Sequence, residues 1–426
     1  MSARGAGPVE APGAVPGNRW DLLDDLRAEP PASVSVVVAH YDQGVQLART
    51  LRAIARQRYP AELVEVIVVD DGSPTVPQVP DGVRLIHQPD EGYRLAAARN
   101  RGAAAATHEV LVFLDADTAP EPDYLRELTR LPALAWDAVT VGRRRHADLT
   151  GSTAGDDVEI SGPANELAEP AWLLDAYRSS GNLLVADFRS YRHVIGAVIA
   201  CSRRFFDETG GFDESFTSYG GEDWEWAYRA WLNGALLAHV PTAVAWHDGP
   251  DHAGRGDSDV TRKNAETMTL AELIPVPGSC PLGMPTARID IAVVAGGLDG
   301  CTEGQRFVSI DSVLAELPGA TYLRGGVGVS AEPSDRVRVR VIIERAIRVR
   351  RGALRAAVDA LESARYGQVN VRHATGRVLI RMVSTRDERR RMRWGTASQL
   401  PVLDLTADGI DQLPAEVDVE AYLGGW

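Results

Sequence analysis

The sequence predicts an α/β protein built on a mostly parallel sheet, followed by a smaller second α/β unit. Short Val/Ile/Leu-rich runs alternate with helical patterns through the first 120 residues, and each run ends in polar loop residues. A Pro/Gly-rich stretch then precedes a second series of the same kind. The most telling run is Val110-Leu111-Val112-Phe113-Leu114, followed at once by Asp115-Ala116-Asp117. An unbroken apolar run of this length reads as a strand buried on both faces. On an extended backbone, residues i and i+2 share a face, so the two carboxylates are expected to point the same way. Bare carboxylates side by side repel each other, and a divalent cation or a nearby protein cation removes that repulsion. Mg2+ and Mn2+ suit such oxygen ligands and bridge readily to phosphates. The carboxyl end of a central strand is also where open α/β sheets hold their ligands.

In chain order, residues 1–18 are rich in Gly, Pro and Ala and read as a disordered tail. Trp20 to Arg27 reads as a short helix. Val34 to Ala39 is the first buried strand, closed by the polar loop His40-Tyr41-Asp42-Gln43. Val45, Leu47, Ala48, Leu51, Ile54 and Ala55 follow at helical spacing. Val64 to Val69 and Val83 to His87 are further strands, the former ending in Asp70-Asp71-Gly72-Ser73. An alanine-rich helix from Leu95 to Thr107 leads into the Val110 run. Residues 143–170 read as a mobile loop, Trp172 to Arg178 as a helix and His193 to Ala200 as a strand. Tyr219 to Trp226 opens a helix behind a double glycine, and Val240 to Trp246 is extended, ending at His247. Residues 249–262 read as a flexible lid. The expected division is residues 1–30 as tail and helix, 31–275 as the first domain, 276–285 as linker and 286–426 as the second domain. That second domain reads either as a degenerate repeat of the first or as an unrelated α/β cap.

Composition narrows the function classes. The chain has 426 residues, 45% apolar, which supports a sizeable core. No run approaches the roughly 20 apolar residues of a membrane span, and the N-terminus shows no apolar leader segment. Three scattered cysteines form no C-x-x-C pair, which points to a reducing cytoplasm and away from structural zinc. A net charge of −14 argues against general nucleic-acid binding. From Arg336 to Arg393, however, 17 arginines face 5 acids. Such a block reads either as a solvated, paired surface or as a peripheral contact with an anionic membrane leaflet. Arg386, Arg389, Arg390 and Arg393, at helical spacing, are the candidates for that contact. No G-x-G-x-x-G follows the first strand and no G-x-x-x-x-G-K-[ST] occurs, so the dinucleotide and P-loop readings lose their key features.

Several ordered segments carry a resemblance. They are V-S-V-V-V-A-H-Y-D from Val34, V-V-D-D-G-S from Val68, R-L-A-A-A-R-N-R-G from Arg94, L-V-F-L-D-A-D from Leu111, and T-G-G-F-D-E then G-G-E-D-W-E-W from Thr209 and Gly220. In this order and rough spacing the chain resembles family 2 inverting glycosyltransferases of the GT-A fold, in the chondroitin-polymerase and galactosyltransferase-like branch. The likeness covers about residues 33–250. It implies that Asp71 binds the uracil edge of a UDP-sugar and that Ala39, His40 and Tyr41 flank base and ribose. Family members often carry Pro-Thr or Pro-Ala where this chain has Ala39-His40. Arg94, Arg99 and Asn100 would line the nucleotide-sugar pocket, and Asp115 would contact ribose or metal. Asp117 and His247 would hold Mn2+ or Mg2+. Asp223 matches the catalytic base, Glu222 a group holding the acceptor, and Trp224 lies beside them.

The chemistry fits such an assignment. A nucleoside diphosphate leaves readily only when its developing charge is neutralised, which a bound metal does as a Lewis acid. The acceptor hydroxyl needs a carboxylate to take its proton as it attacks the anomeric carbon. A base carried on a Gly-Gly turn can approach the sugar closely. The expected reaction is transfer of a hexose or N-acetylhexosamine to a hydroxyl of a glycan or lipid-linked acceptor. The alternatives are a sugar nucleotidyltransferase and a catalytically inactive nucleotide-sugar-binding scaffold.

Overall fold

The computed structural model describes residues 13–218, 220–250, 260–284, 286, 288–324, 337–406 and 408–424. The chain divides into two compact units, one covering residues up to Trp231 with Ala235–Thr269, the other Leu232–Gly234 with Leu270 onward.

The first unit follows the α/β pattern. Its elements are β1 (Val34–His40), α1 (Gly44–Ala55), β2 (Val64–Asp70), β3 (Val83–His87), α2 (Leu95–Ala105), β4 (Val110–Asp115), β5 (Thr118–Pro120), α3 (Tyr124–Leu128), α4 (Arg130–Leu134) and β6 (Ala138–Ala147). Then come α5 (Val158–Ala164), β7 (Glu166–Leu167), α6 (Ala171–Ser179), β8 (Val198–Ser202), α7 (Arg203–Glu208), α8 (Glu222–Leu232), β9 (Leu236–Asp248) and α9 (Val260–Leu273). Among the described residues one nine-stranded sheet runs β3-β2-β1-β4-β8-β6-β9-β5, with β7 beside β6. The β3-β2-β1-β4 half is wholly parallel. Beyond it the sheet is mixed: β8 is antiparallel to β4 and β6, while β6 and β9 are parallel.

Strand order reverses at β1, with β2 on one side and β4 on the other. A crevice therefore opens at their carboxyl ends, as such switch points require. Register puts the ends level: His40 lies opposite Asp70, and Ala39 opposite Asp115. β1 is buried along its whole length, as a β-branched central strand should be. α2 packs against it through Gly102, where a Cβ would sit 2.3 Å from Val37 Cγ1. On the same face, beside Val37 in the register, Phe113 joins Phe206, Phe212 and Trp226 in one aromatic cluster with ring centroids 5.2–5.6 Å apart. That cluster seats α8, whose Trp226 indole donates to Thr209 Oγ1 at 2.9 Å.

Several expectations change. Arg143-Arg144-Arg145 is not in a loop: β6 runs through these residues and pairs with β9 as far as Ala147 opposite Asp248. Charged side chains hid a strand whose backbone partner lies about a hundred residues away. The residues expected as tail up to 18 are ordered from Gly13 on: Val15 packs with Leu23 and Leu131, and Asn18 donates to the carbonyls of Leu183 and Leu237. Most of the expected lid, residues 251–259, lies outside the described residues, as does the start of the expected tail. No described helix is long and apolar enough to cross a membrane.

The second unit contains β10 (Ile291–Val294), α10 (Glu303–Glu316), β11 (Ala320–Tyr322), β12 (Val339–Ile343), β13 (Ile347–Val349), α11 (Arg355–Glu362), β14 (Gln368–Arg372), β15 (Val378–Ser384), α12 (Thr385–Trp394), β16 (Val402–Thr406), β17 (Ile410–Gln412) and α13 (Val419–Tyr422). Its described strands form a sheet ordered β11-β10-β12-β15-β14-β16 and a β13-β17 ribbon. Here β15 is antiparallel to β12, whereas β4 of the first unit runs parallel to β1. The arginines of α12 do not form an open basic face. Arg386 and Arg390 are buried, and within this unit Arg390 donates to Gly234 O at 2.8 Å and Arg393 to Asn233 O at 2.9 Å. Arg389 donates to Asn233 Oδ1. Helical spacing placed the four together, but that face is turned inward.

Candidate active site

The carboxyl edge of the parallel half delivers the first group of side chains. Asp70, at the end of β2, is fully buried and accepts from His40 Nδ1 at 2.8 Å, His87 Nδ1 at 2.7 Å and Ser73 Oγ at 2.5 Å. Burial pushes its carboxyl up, but those hydrogen bonds outweigh it and hold it below the usual range. Asp70 is thus the post that fixes the loop, and His40, itself buried, is one of its partners. Asp71 is held by Arg94 N at 2.9 Å and by Gln88 Nε2 at 2.5 Å, and burial raises its pKa. The turn needs Gly72, with φ at +81°, because a Cβ there would meet the Asp90 backbone at 2.4 Å. Tyr41 is exposed, Ala39 is buried, and the Arg94 guanidinium reaches Glu91 at 3.1 Å.

The strand that was expected to carry both Asp115 and Asp117 ends between them. β4 stops at Asp115, Ala116 and Asp117 form a turn, and a new strand starts at Thr118. The alternation argument fails because the backbone is no longer extended there. Asp115 accepts from Arg99 Nη2 at 2.7 Å. Asp117 Oδ2 accepts from Gln43 Nε2 at 2.9 Å and lies 3.6 Å from His247 Nε2. β5 brings His247 there, since Thr118 pairs with His247 across β5 and β9.

α8 supplies the third group. Gly220 and Gly221 both have positive φ, and Glu222 and Asp223 follow in the first helical turn. Carboxylates suit a helix N-terminus, yet this one is packed away from water. Burial, then the neighbouring Asp223 charge, pushes Glu222 up to about 7, against the pull of Arg99. Burial also raises Asp223. Arg99 joins the groups: Nη1 donates to Glu222 Oε1 at 2.8 Å while Nη2 holds Asp115. Its own burial would lower its pKa, but Asp115 and Glu222 outweigh this and keep it charged. Asp223 Oδ2 accepts from Gly196 N at 2.8 Å. Trp224 sits edge-on to Trp172 and Tyr191, with centroids 6.4 and 6.3 Å apart, and Trp172 remains 46% exposed.

Among the described residues, then, Asp115, Arg99, Glu222 and Asp223 form one connected group, and Asp117, Gln43 and His247 another on the same sheet edge. Asn100 stands apart. Its side chain bonds the Phe212 backbone in both directions, at 2.8 and 2.9 Å, and reaches Glu214. Gln43, Gln88, Gly196, His146 and Trp172 were not singled out from sequence. Gln43 alone had a signal, its place in the polar loop after β1.

Residues 35–173 match the family model "Glycosyl transferase family 2", and residues 187–245 match "N-terminal domain of galactosyltransferase". The chondroitin synthase of Escherichia coli is 27% identical over 57% of this chain and 38% of its own length. The validoxylamine A glucosyltransferase of Streptomyces hygroscopicus subsp. jinggangensis is 31% identical over 47% of this chain and 52% of its own. The chain thus spans well under two thirds of either relative. The crystal structure of GalNAc-T7 with UDP, GalNAc and Mn2+ aligns at 22% identity and a TM-score of 0.39, over 53% of this chain and 47% of that one. Through residues 35–173, about a third of its length, the chain is similar to glycosyl transferase family 2.

Proposed function

We propose that this protein is an inverting, metal-dependent glycosyltransferase that moves a hexose or N-acetylhexosamine from a UDP-sugar to a hydroxyl of a glycan or lipid-linked acceptor. The observation that carries the reading is the pairing of Asp117 with His247 on the edge that also holds Asp223. His247 Nδ1 lies 3.1 Å from Gly249 O. A carbonyl only accepts, so Nδ1 bears the proton and Nε2 turns a lone pair toward the Asp117 carboxylate. At 3.6 Å the two atoms are too far apart for a direct hydrogen bond. Two bonds of about 2.1 Å span that gap, so this donor pair suits Mn2+ or Mg2+. Among the described residues no three His, Cys, Asp or Glu side chains converge as a full metal cage. That suits a cation completed by substrate phosphate oxygens, the usual arrangement for Mg2+.

When bound, the cation would neutralise the charge that develops on the departing diphosphate. The remaining work falls to the chain. Asp71, set by Gln88 and the Arg94 amide, offers a carboxylate edge to the uracil N–H. Asp115, charge-balanced by Arg99, faces the ribose. Asp223 takes the acceptor proton as the oxygen attacks the anomeric carbon from the side opposite the diphosphate, which inverts that centre. Burial raises its pKa and makes it a stronger base. Glu222 and the Trp224 wall hold the acceptor.

The chain's contact with an anionic membrane leaflet is part of this proposal. It draws on Arg345, Arg348, Arg350 and Arg351, which are exposed, and not on α12.

Hydrolysis of UDP-sugars by the purified chain tests the reading. Turnover with Mn2+, abolished by EDTA and restored by more Mn2+, supports it. Full activity in chelator overturns the metal assignment. Release of diphosphate from a nucleoside triphosphate and a sugar phosphate would point to the nucleotidyltransferase, and binding without turnover to the inactive scaffold.

A further inference from the structure

We propose that His146 is a positioning residue for the metal ligand His247, acting through a backbone carbonyl that both rings share. The proposal rests on reading Asp117 and His247 as the cation's protein ligands. β6 and β9 run parallel with His146 directly opposite His247. Both imidazoles turn Nδ1 to the same acceptor: each lies 3.1 Å from Gly249 O. Because that oxygen can only accept, both rings carry their proton on Nδ1. On His247 this is the tautomer that leaves Nε2 free to ligate, 3.6 Å from Asp117.

The quality of the ligand therefore depends on where the Gly249 carbonyl points. His247 alone holds it poorly, since a contact two residues along the chain moves with the chain. The independent anchors come from β6. Gly249 N donates to Ala147 O at 2.8 Å, and His146 Nδ1 donates to Gly249 O at 3.1 Å. His146 is fully buried, and its ring packs edge-on to His247 with centroids 5.0 Å apart. Gly249 itself has φ at +111°, where a glycine turns freely and external bonds must set the orientation. A ligating histidine is ordinarily oriented by a partner on its second nitrogen, and losing such a partner weakens metal binding. Here that partner is a carbonyl, and His146 is its buttress.

The test is Mn2+ titration of the full chain in the presence and absence of UDP, followed by the loss of the free-Mn2+ electron paramagnetic resonance signal. His146→Phe keeps the ring's bulk and loses the donor, and Mn2+ affinity is expected to fall about 10- to 100-fold. His146→Gln keeps an N–H that can reach the same carbonyl and is expected to retain most of the affinity. A thermal melt of each variant separates weak binding from unfolding. His146→Phe binding Mn2+ like wild type, or Phe and Gln variants weakened equally, overturns the proposal while leaving the ligands in place. A wild type that binds no Mn2+ overturns the ligand assignment itself, and this proposal with it. The wild type also offers a test that needs no variant: nitrogen-15 correlation spectra should show both rings protonated at Nδ1. A proton on His247 Nε2 overturns the inference.

Discussion

Arg99 donates to Glu222 at 2.8 Å, tying the middle of α2 to the first residue of α8, 123 positions away. The same guanidinium holds Asp115, so one buried cation balances two acids from different parts of the chain. Removing one partner of a buried ion pair strands the others, which costs about 3–5 kcal/mol. Arg99→Met is expected to lower stability by about that much, read from the urea midpoint at constant slope. Adding Glu222→Met should recover part of the loss, because the two sites share one interaction. A loss under about 1 kcal/mol, the size of an exposed pair, would mean that the three groups are far better solvated than their burial implies.

Asp223→Asn removes the proposed base while keeping the shape that accepts from Gly196. Donor hydrolysis and transfer are expected to fall about 10²- to 10⁴-fold in kcat, with UDP affinity nearly unchanged. In wild type the base must be ionised, and burial raises its pKa. Activity should therefore be lost as pH falls, on a limb lying above the range of an ordinary aspartate. Wild-type turnover by Asp223→Asn would move the role to Glu222.

Trp172 is half exposed beside His193 and Trp224, the latter on the helix that carries Asp223. An exposed indole offers a flat apolar face on which a sugar ring of the acceptor can lie. For the acceptor that supports transfer, Trp172→Ala should raise KM about tenfold, or ~1.4 kcal/mol. Metal-dependent donor hydrolysis should stay unchanged. An unaltered acceptor KM would leave Trp172 as an ordinary surface side chain.

In the second unit, Arg390 is fully buried and donates to Gly234 O at 2.8 Å. Arg390→Gln should destabilise the protein by about 1.5–3 kcal/mol, the range of a hydrogen bond to a charged group. Arg391→Gln, on the exposed side, should stay within about 0.5 kcal/mol of wild type. Replacing Arg386, Arg389, Arg390 and Arg393 together would consequently test folding and not membrane binding. Equal melting temperatures for the two single variants would contradict the burial of Arg390.

The sequence by itself determined the alternating elements, the polar ends of β1, β2 and β4, and the ordered motifs that carry the likeness of residues 35–173 to glycosyl transferase family 2. These are local properties: an apolar run, a turn residue and a short motif can each be read within about ten positions. Only the tertiary structure decided that Arg99 lies between Asp115 and Glu222, that Asn100 serves the Phe212 backbone, and that His146 meets His247 at Gly249. Each of these depends on strand register and helix packing between segments distant in sequence, which periodicity does not encode. The same reason separates Asp115 from Asp117. Spacing put them on one face of a strand, but β4 ends at Asp115, and the chain turns at Ala116-Asp117 to enter β5, whose partner is the distant β9. The basic segment repeats the point: a count of arginines measures charge, whereas packing in the second unit decided that Arg386 and Arg390 face inward.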